Sequence, residues 1–382
     1  MDQPKTLFYF RTHFDDAANL GVVNKCRAIA QAAPGGGDVV YFTQSGICFN
    51  GTVVCAFPHR KRSVRHLWLY YAVADRFLAR FIPFEQYHTF YIRHLPAHPL
   101  FIYLLSVAKK RHPHLRIIVE FPTWPYDAEM TGWKQRPVAW LDRWWRKKMS
   151  AYVDIYCHYG VETEILGQKA IPMCNGIEVA RTPVRAVVPV KEKTRLRLLA
   201  IGSWSAWHGL DRLIKGLVAY QSTRPECRVE LTIAGEGPAL VAWKQEVADS
   251  GLGDAVRFLP PVSGAALDQL FEAADMAVGS LALHRIGLYT ASPLKHREYG
   301  ARGIPFLFGG HDGDFPAHLP FVFVCPPDES AVDVAALVDF FQRRIDPETT
   351  AAEMRIYAEN HLDWGAKMAK LYEKGGGFTE SP

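Results

Sequence analysis

The sequence contains no C-x-x-C pair and no window approaching eighteen uncharged apolar residues, and each absence removes a class of protein. The seven cysteines, at 26, 48, 55, 157, 174, 227 and 325, are scattered and odd in number, which argues against a full disulfide framework. No Cys/His spacing suggests a structural zinc site, and the pattern suits a reducing cytoplasm. The best apolar run, 99–108, is far too short to span a bilayer, so an integral membrane protein is not expected. The N-terminus, MDQPKTLFYF, lacks a basic segment followed by a long apolar one, and no signal peptide is expected. A dinucleotide fingerprint is also incomplete: IAGEGP at 233–238 supplies two glycines, but Leu240 stands where G-x-G-x-x-G requires the third.

What is present fits a globular α/β protein. The 382 residues exceed one ordinary domain, and 49% apolar with 22% charged residues fit a packed chain rather than a disordered one. Charge is uneven. Residues 1–150 carry 21 Lys+Arg against 10 Asp+Glu, net +11, whereas the rest carry 23 against 29, net −6. The two parts therefore suit different partners.

Short apolar runs alternate with helix-period stretches, as in a parallel sheet wrapped by helices. Strands are predicted at 6–10, 39–43, 88–93, 116–121, 155–159 and 171–174, with helices near 20–33, 65–81, 99–111 and 137–152. The pattern restarts after a stretch rich in Val, Pro and charge. Strands follow at 196–201, 229–234, 256–259, 276–281, 304–308 and 321–324, with one helix marked by Leu210, Leu213, Ile214, Leu217 and Val218 and another near 330–344. The expected organisation is a Rossmann-like acceptor-binding domain over 1–180, a linker over 181–194 and a second Rossmann-like domain over 195–350. Residues 351–382 make a C-terminal helix able to return to the first domain, then a frayed tail. Two such sheets facing a central cleft suit a two-substrate reaction at their strand ends.

The densest chemistry lies in SLALHRIGLYTASPLKHREYGARGIPF, 280–306. A strand is followed by a Gly-containing loop and a helix opening at Ser292, Pro293, Leu294 and Lys295. Ser before Pro offers a cap and a preset first turn, and the exposed amides make an anion site. Arg285 and Lys295 add positive charge, and Glu298 lies one turn in, placed to accept hydrogen bonds from a ribose. Together they read as a clamp for a nucleoside diphosphate.

This segment resembles the donor motif of retaining glycosyltransferases of the GT-B fold, family 4, whose Glu-x7-Glu places its second Glu at Glu298. Thr290 stands where the first would be, a position the family uses for the transferred sugar's hydroxyls. HR…SxLKxREY…GIPF is similar to a bacterial branch making capsule and exopolysaccharide, as is YIRHLP…IVEFPTWPYDAE (91–129). WHGLDRLI (207–214) is similar to the family's Lys-Gly-x-x-x-Leu segment, with His208 for the Lys and Ser203 near the usual upstream Arg. The resemblance places Gly235 and Gly237 near the nucleobase together with backbone at Arg257, and Gly21, in a loop near Lys25, near donor phosphate and acceptor. Glu120 or Asp127 would orient the acceptor hydroxyl. It implies a nucleotide-sugar donor, commonly a UDP-sugar, a glycan or lipid-linked acceptor in surface polysaccharide synthesis, and retention of configuration.

No metal or other cofactor is expected: Asp312-Gly313-Asp314 matches an Asp-x-Asp pattern, but in a turn-prone loop. Residues 133–148 combine four Trp with six Lys or Arg and one acid, and 60–81 adds six Arg or Lys among aromatics. These basic, Trp-rich stretches suit peripheral contact with an anionic membrane, at the inner face of the cell membrane. A nucleic-acid face is disfavoured, since no recognised motif accompanies them. Alternatives to transfer are a sugar-nucleotide epimerase of the same fold and a non-catalytic scaffold of a polysaccharide assembly complex. A nicotinamide-dependent oxidoreductase ranks last.

Overall fold

The computed structural model describes residues 5–16, 20–56, 64–94, 96–127, 136–186, 194–346 and 348–375, with backbone alone for 64–69. It divides into two compact units, Met1–Met173 with Trp364–Pro382, and Cys174–Asp363. The division falls before the linker expected at 181–194, of which 187–193 lie outside the described residues. The expected single C-terminal helix is two helices: Thr350–His361 belongs to the second unit and Trp364–Lys374 to the first.

The first unit contains strands β1 (Thr6–His13), β2 (Gly37–Thr43), β3 (Gly46–Phe49), β4 (Thr52–Ala56), β5 (Thr89–Arg93), β6 (Arg116–Phe121), β7 (Ile155–His158), β8 (Glu164–Ile165) and β9 (Gln168–Pro172). They form one sheet in the order β4-β3-β2-β1-β5-β6-β7-β9-β8. Its centre is parallel, and β3, β4 and β8 join by antiparallel pairing. The central strands are near-continuous apolar runs because both faces are covered. One face packs on helices α2 (Val64–Phe81), α3 (Pro99–Arg111) and α4 (Arg136–Met149), and the other on α1 (Leu20–Gln31) and α11 (Trp364–Lys374).

The second unit has strands β10 (Arg195–Ser203), β11 (Arg228–Glu236), β12 (Val256–Leu259), β13 (Met276–Val278), β14 (Phe306–Gly309) and β15 (Val322–Cys325). All are parallel, in the order β12-β11-β10-β13-β14-β15. Helices α5 (Leu210–Ser222), α6 (Leu240–Asp249) and α9 (Val334–Arg344) cover one face. The other packs on α7 (Ala265–Ala273), α8 (Leu294–Arg302) and α10 (Thr350–His361).

Each predicted strand overlaps an observed one, but 6–10 runs on to His13, 155–159 stops at His158, 171–174 becomes Gln168–Pro172, 276–281 stops at Val278 and 304–308 starts at Phe306. The β3–β4 hairpin was not predicted. Its turn is Asn50-Gly51, both at positive φ (48° and 91°), the strongest short hairpin signal a sequence carries.

Candidate functional site

In the second unit the carboxyl ends of β10 and β11 meet the start of α8. Gly202 and Ser203 end β10 beside Gly235 and Glu236. A Cβ at Gly235 would overlap the carbonyl oxygen of Gly202, and one at Gly237 that of Trp204. Both have positive φ, 130° and 146°. Glycine is therefore required here by backbone packing, whatever binds nearby. Trp204 is fully buried under this turn, its indole N–H donating to the Ala234 carbonyl at 3.2 Å.

Lys295, the second residue of α8, extends into this corner. Its Nζ lies 5.0 Å from the Trp204 ring centroid and 3.5 Å from the position a Cβ would take on Gly202. The ammonium nitrogen is buried and has no hydrogen-bond partner among the described residues. Burial alone lowers its pKa from 10.5 to about 8, because removing the cation from water is not compensated by any carboxylate. His208 completes the corner, its ring 5.3 Å from Trp204. Burial and the neighbouring Lys295 lower its pKa to about 4, so it is neutral near pH 7. Its Nδ1 lies 3.1 Å from the Ser205 amide and 3.2 Å from the Ser205 carbonyl in a capping box.

The other charged residues of the expected clamp lie differently. Arg285 is not free to meet a phosphate. Its guanidinium donates to Asp211 at 2.7 and 2.9 Å, to Glu329 at 2.5 and 2.9 Å and to the Ala206 carbonyl at 2.7 Å. It is a clamp tying the loop after β13 to the start of α5 and to 329. Nor does Ser292 cap α8. The cap is Pro293, without a side-chain bond, while the Ser292 hydroxyl accepts from the Asn175 amide at 2.6 Å and its carbonyl from the Asn175 side chain at 2.7 Å. Among the described residues no side chain caps the first turn of α8, and the His296 amide bonds the Pro293 carbonyl at 3.2 Å. Leu294 is exposed. Glu298, three residues after Lys295 and on a neighbouring position of the helix surface, is about one-third exposed and pairs with Arg302 at 2.9 Å. Thr290 bridges to His311. Ser203 is exposed, and Arg257 is exposed on β12, lining a separate cavity of about 640 Å³ with Arg195, Arg197 and Glu230.

Asp312 and Asp314 both serve Arg297. The buried guanidinium meets Asp312 at 2.5 and 2.7 Å and Asp314 at 2.6 Å. His296 adds a bond to Asp312 at 2.8 Å. Burial would raise the Asp312 carboxyl, but the bond from His296 and the Arg297 charge outweigh it and hold it at about 2. Cys174 brings a third potential ligand atom within 4.8 Å of the two carboxylates, yet Arg297 already supplies their counter-charge.

In the first unit Glu120 is fully buried at the end of β6. It pairs with Arg93, lies 3.5 Å from Lys25 and accepts from Tyr91 at 3.0 Å. Burial pushes its carboxyl up, but Arg93 and Lys25 overcome this and hold it below the ordinary range. A carboxylate so enclosed organises the strand ends rather than receiving an acceptor hydroxyl. Asp127 is taken up by Arg143 at 2.7 Å and Arg146 at 3.0 Å. Gly21 is exposed in the first turn of α1, with open space around it.

Sequence reasoning missed Trp204, Asp211 and Glu329. A Trp directly after Gly-Ser at a strand end was the available signal for the first. The two acids are 74 and 44 residues from Arg285, and no local pattern links them.

Two Rossmann-like units, each a sheet with helices on both faces, define the GT-B fold of two-domain glycosyltransferases. Among solved structures the chain is similar to Anabaena Alr3699/HepE in complex with UDP, at 13% identity over 97% of this chain and 99% of that one, with a TM-score of 0.56. It is similar to the lipopolysaccharide outer core galactosyltransferase WaaB, at 11% identity over 97% and 98%, TM-score 0.56. Trehalose-6-phosphate synthase OtsA aligns at 12% identity over 99% and 100%, TM-score 0.57. No family model matches the chain, and no curated protein matches it. At these identities the likeness establishes the fold.

Proposed function

We propose that this protein is a glycosyltransferase that takes its sugar from a nucleoside diphosphate donor, held at the strand ends of the second unit. The observation that carries the reading is Lys295: a buried ammonium with no hydrogen-bond partner among the described residues, at the opening of a helix that no side chain caps. A buried cation with no carboxylate partner among the described residues, set at a helix opening, suits an anion. The neutral ring of His208 lies beside it, 5.3 Å from Trp204.

In sugar transfer the bond from the anomeric carbon to the diphosphate breaks, and the leaving oxygens gain negative charge. Donors fixed in advance around those oxygens bind that growing charge more strongly than the ground state. Lys295 and the α8 amides supply this stabilisation, and Glu298 receives the ribose hydroxyls once released from Arg302. Arg285 acts through position, fixing the wall that carries His208. We read the transfer as retaining, with the leaving phosphate taking the acceptor's proton. The acceptor is a glycan or lipid-linked glycan of a surface polysaccharide, and the donor a UDP-sugar. The structural likeness to a UDP complex and the family resemblance of 280–306 support this reading.

A thermal-shift screen of UDP-, GDP-, ADP- and dTDP-sugars tests the site. Stabilisation by one nucleotide class, lost in Lys295→Ala and Glu298→Ala, is expected. Variants that bind every ligand as the parent does would refute the assignment. Acceptor-dependent release of nucleoside diphosphate separates a transferase from an epimerase, and the anomeric signals of the product by NMR report retention or inversion.

A further inference from the structure

Helices α2, α3 and α4 cover one face of the first unit's sheet, and their outward side has a composition that transfer chemistry does not require. Along all three, the only carboxylates are Asp75 and Asp142, and both are buried. Asp75 accepts from Tyr9 at 2.7 Å, and Asp142 from the Ala97 amide at 2.6 Å and Tyr126 at 2.8 Å. The exposed side of these helices therefore carries no acid of its own.

Cations and large apolar side chains share that side. On α4 the exposed positions include Arg136, Trp140, Arg143, Trp144, Lys147 and Lys148, spaced by three and four residues along one stripe about 18 Å long. Trp140 is 69% and Trp144 52% exposed. Two neighbouring exposed rings among cations are more than scattered surface apolar residues, and lysine is depleted at protein-docking faces. Arg143 is partly neutralised by Asp127, but Arg136, Lys147 and Lys148 have no carboxylate partner among the described residues. On α2, Phe81 is 60% exposed against Phe77, with Arg80 beside its ring and Arg76 a turn earlier. Tyr103 is exposed on α3.

We propose that this three-helix face docks on a bilayer containing anionic phospholipid. The tryptophans and Phe81 would enter the headgroup boundary while the lysines and arginines meet lipid phosphates. Lys148 distinguishes this partner from single-stranded nucleic acid: its ammonium lies 3.5 Å from the Trp144 ring centroid, on the π-face a stacked base would need. No described helix is long and apolar enough to cross a membrane, so this surface gives attachment without a span. The proposal goes beyond the transferase reading and does not depend on it.

Flotation of the full chain with vesicles of phosphatidylcholine, with and without phosphatidylglycerol, tests it. The parent should float with the anionic vesicles and be released by high salt. Lys147→Glu with Lys148→Glu should reduce the bound fraction at least tenfold, since each cation near the surface contributes several-fold. Lys147→Arg with Lys148→Arg should retain it. Trp140→Ala with Trp144→Ala should weaken binding comparably. All three variants should keep the parental melting temperature and nucleotide-induced shift, which separates failure here from failure of the donor site. Absence of parental flotation, equal binding to neutral vesicles, or undiminished binding of the Glu and Ala variants would overturn the proposal. So would tighter binding of a single-stranded oligonucleotide than of anionic vesicles, lost in the Glu variant.

Discussion

Both units gather charge at the carboxyl ends of their strands, but they complete it differently. In the first, Glu120 is enclosed by Arg93, Lys25 and Tyr91, and each charge has its answer within the protein. In the second, buried Lys295 has the Trp204 ring at 5.0 Å but no hydrogen-bond partner among the described residues. Two lysines, both lowered to about 8 mainly by burial, thus have opposite meanings. Lys25 has a carboxylate that partly offsets its desolvation, so it belongs to the architecture. Lys295 has only the Trp204 ring to offset its cost, which marks it as a candidate anion site. A perturbed pKa locates a candidate site, and the presence or absence of an internal partner separates structure from function.

The largest effect that would sharpen this contrast is on stability. Glu120→Gln leaves Arg93 and Lys25 buried without their carboxylate and should cost the first unit about 3–5 kcal/mol in denaturant unfolding. Nucleotide affinity should change little. Because the folded-state pKa of Glu120 is lowered, its contribution is present above the ordinary carboxylate value and lost as pH falls through the lowered one. The parent should therefore lose stability in acid more steeply than Glu120→Gln.

Next is the pH dependence of nucleotide binding. Lys295 is protonated below about 8, so diphosphate affinity should fall by up to tenfold per pH unit above that value. Titrations between about pH 7 and pH 9, roughly one unit either side of that pKa, check this. Lys295→Arg should abolish the fall, because a guanidinium stays charged. His208, lowered to about 4, should contribute no step between pH 6 and 8, a window of roughly one unit about neutrality.

Stability of the ligand-free protein gives a smaller test. Lys295→Met removes an uncompensated buried cation, so the melting temperature should hold or rise slightly, opposite in sign to Glu120→Gln. Smallest is Glu329→Gln. It loosens an exposed arm of the Arg285 clamp while Asp211 remains, and nucleotide affinity should shift by less than about threefold. A large loss there would mean that Arg285 positions the site more tightly than its exposed partners suggest.

Much of this architecture was legible in the residues. The apolar runs at 6–10, 116–121 and 229–234 marked buried parallel strands, and the 3.6-residue period marked α3 and α5 closely. The helix opening that carries Lys295 was legible, because a Ser-Pro pair after a strand-end loop is a local pattern. The role of Arg285 was not, since its partners come from distant parts of the chain. Glu120 carried an overlooked signal: an acid flanked by Ile117, Ile118, Val119 and Phe121 sits in a strand covered on both faces and must be paired within. Ser292 misled for a similar reason, because Asn175 claims its hydroxyl from 117 residues away.

The most direct test of the central claim is calorimetric titration of nucleoside diphosphate into the parent and Lys295→Met at neutral pH, with Glu120→Gln alongside. The unpaired ammonium predicts at least tenfold weaker binding for Lys295→Met, or about 1.4 kcal/mol, and near-parental binding for Glu120→Gln. Parental affinity in Lys295→Met would contradict the account, since the diphosphate would then be held somewhere other than this corner.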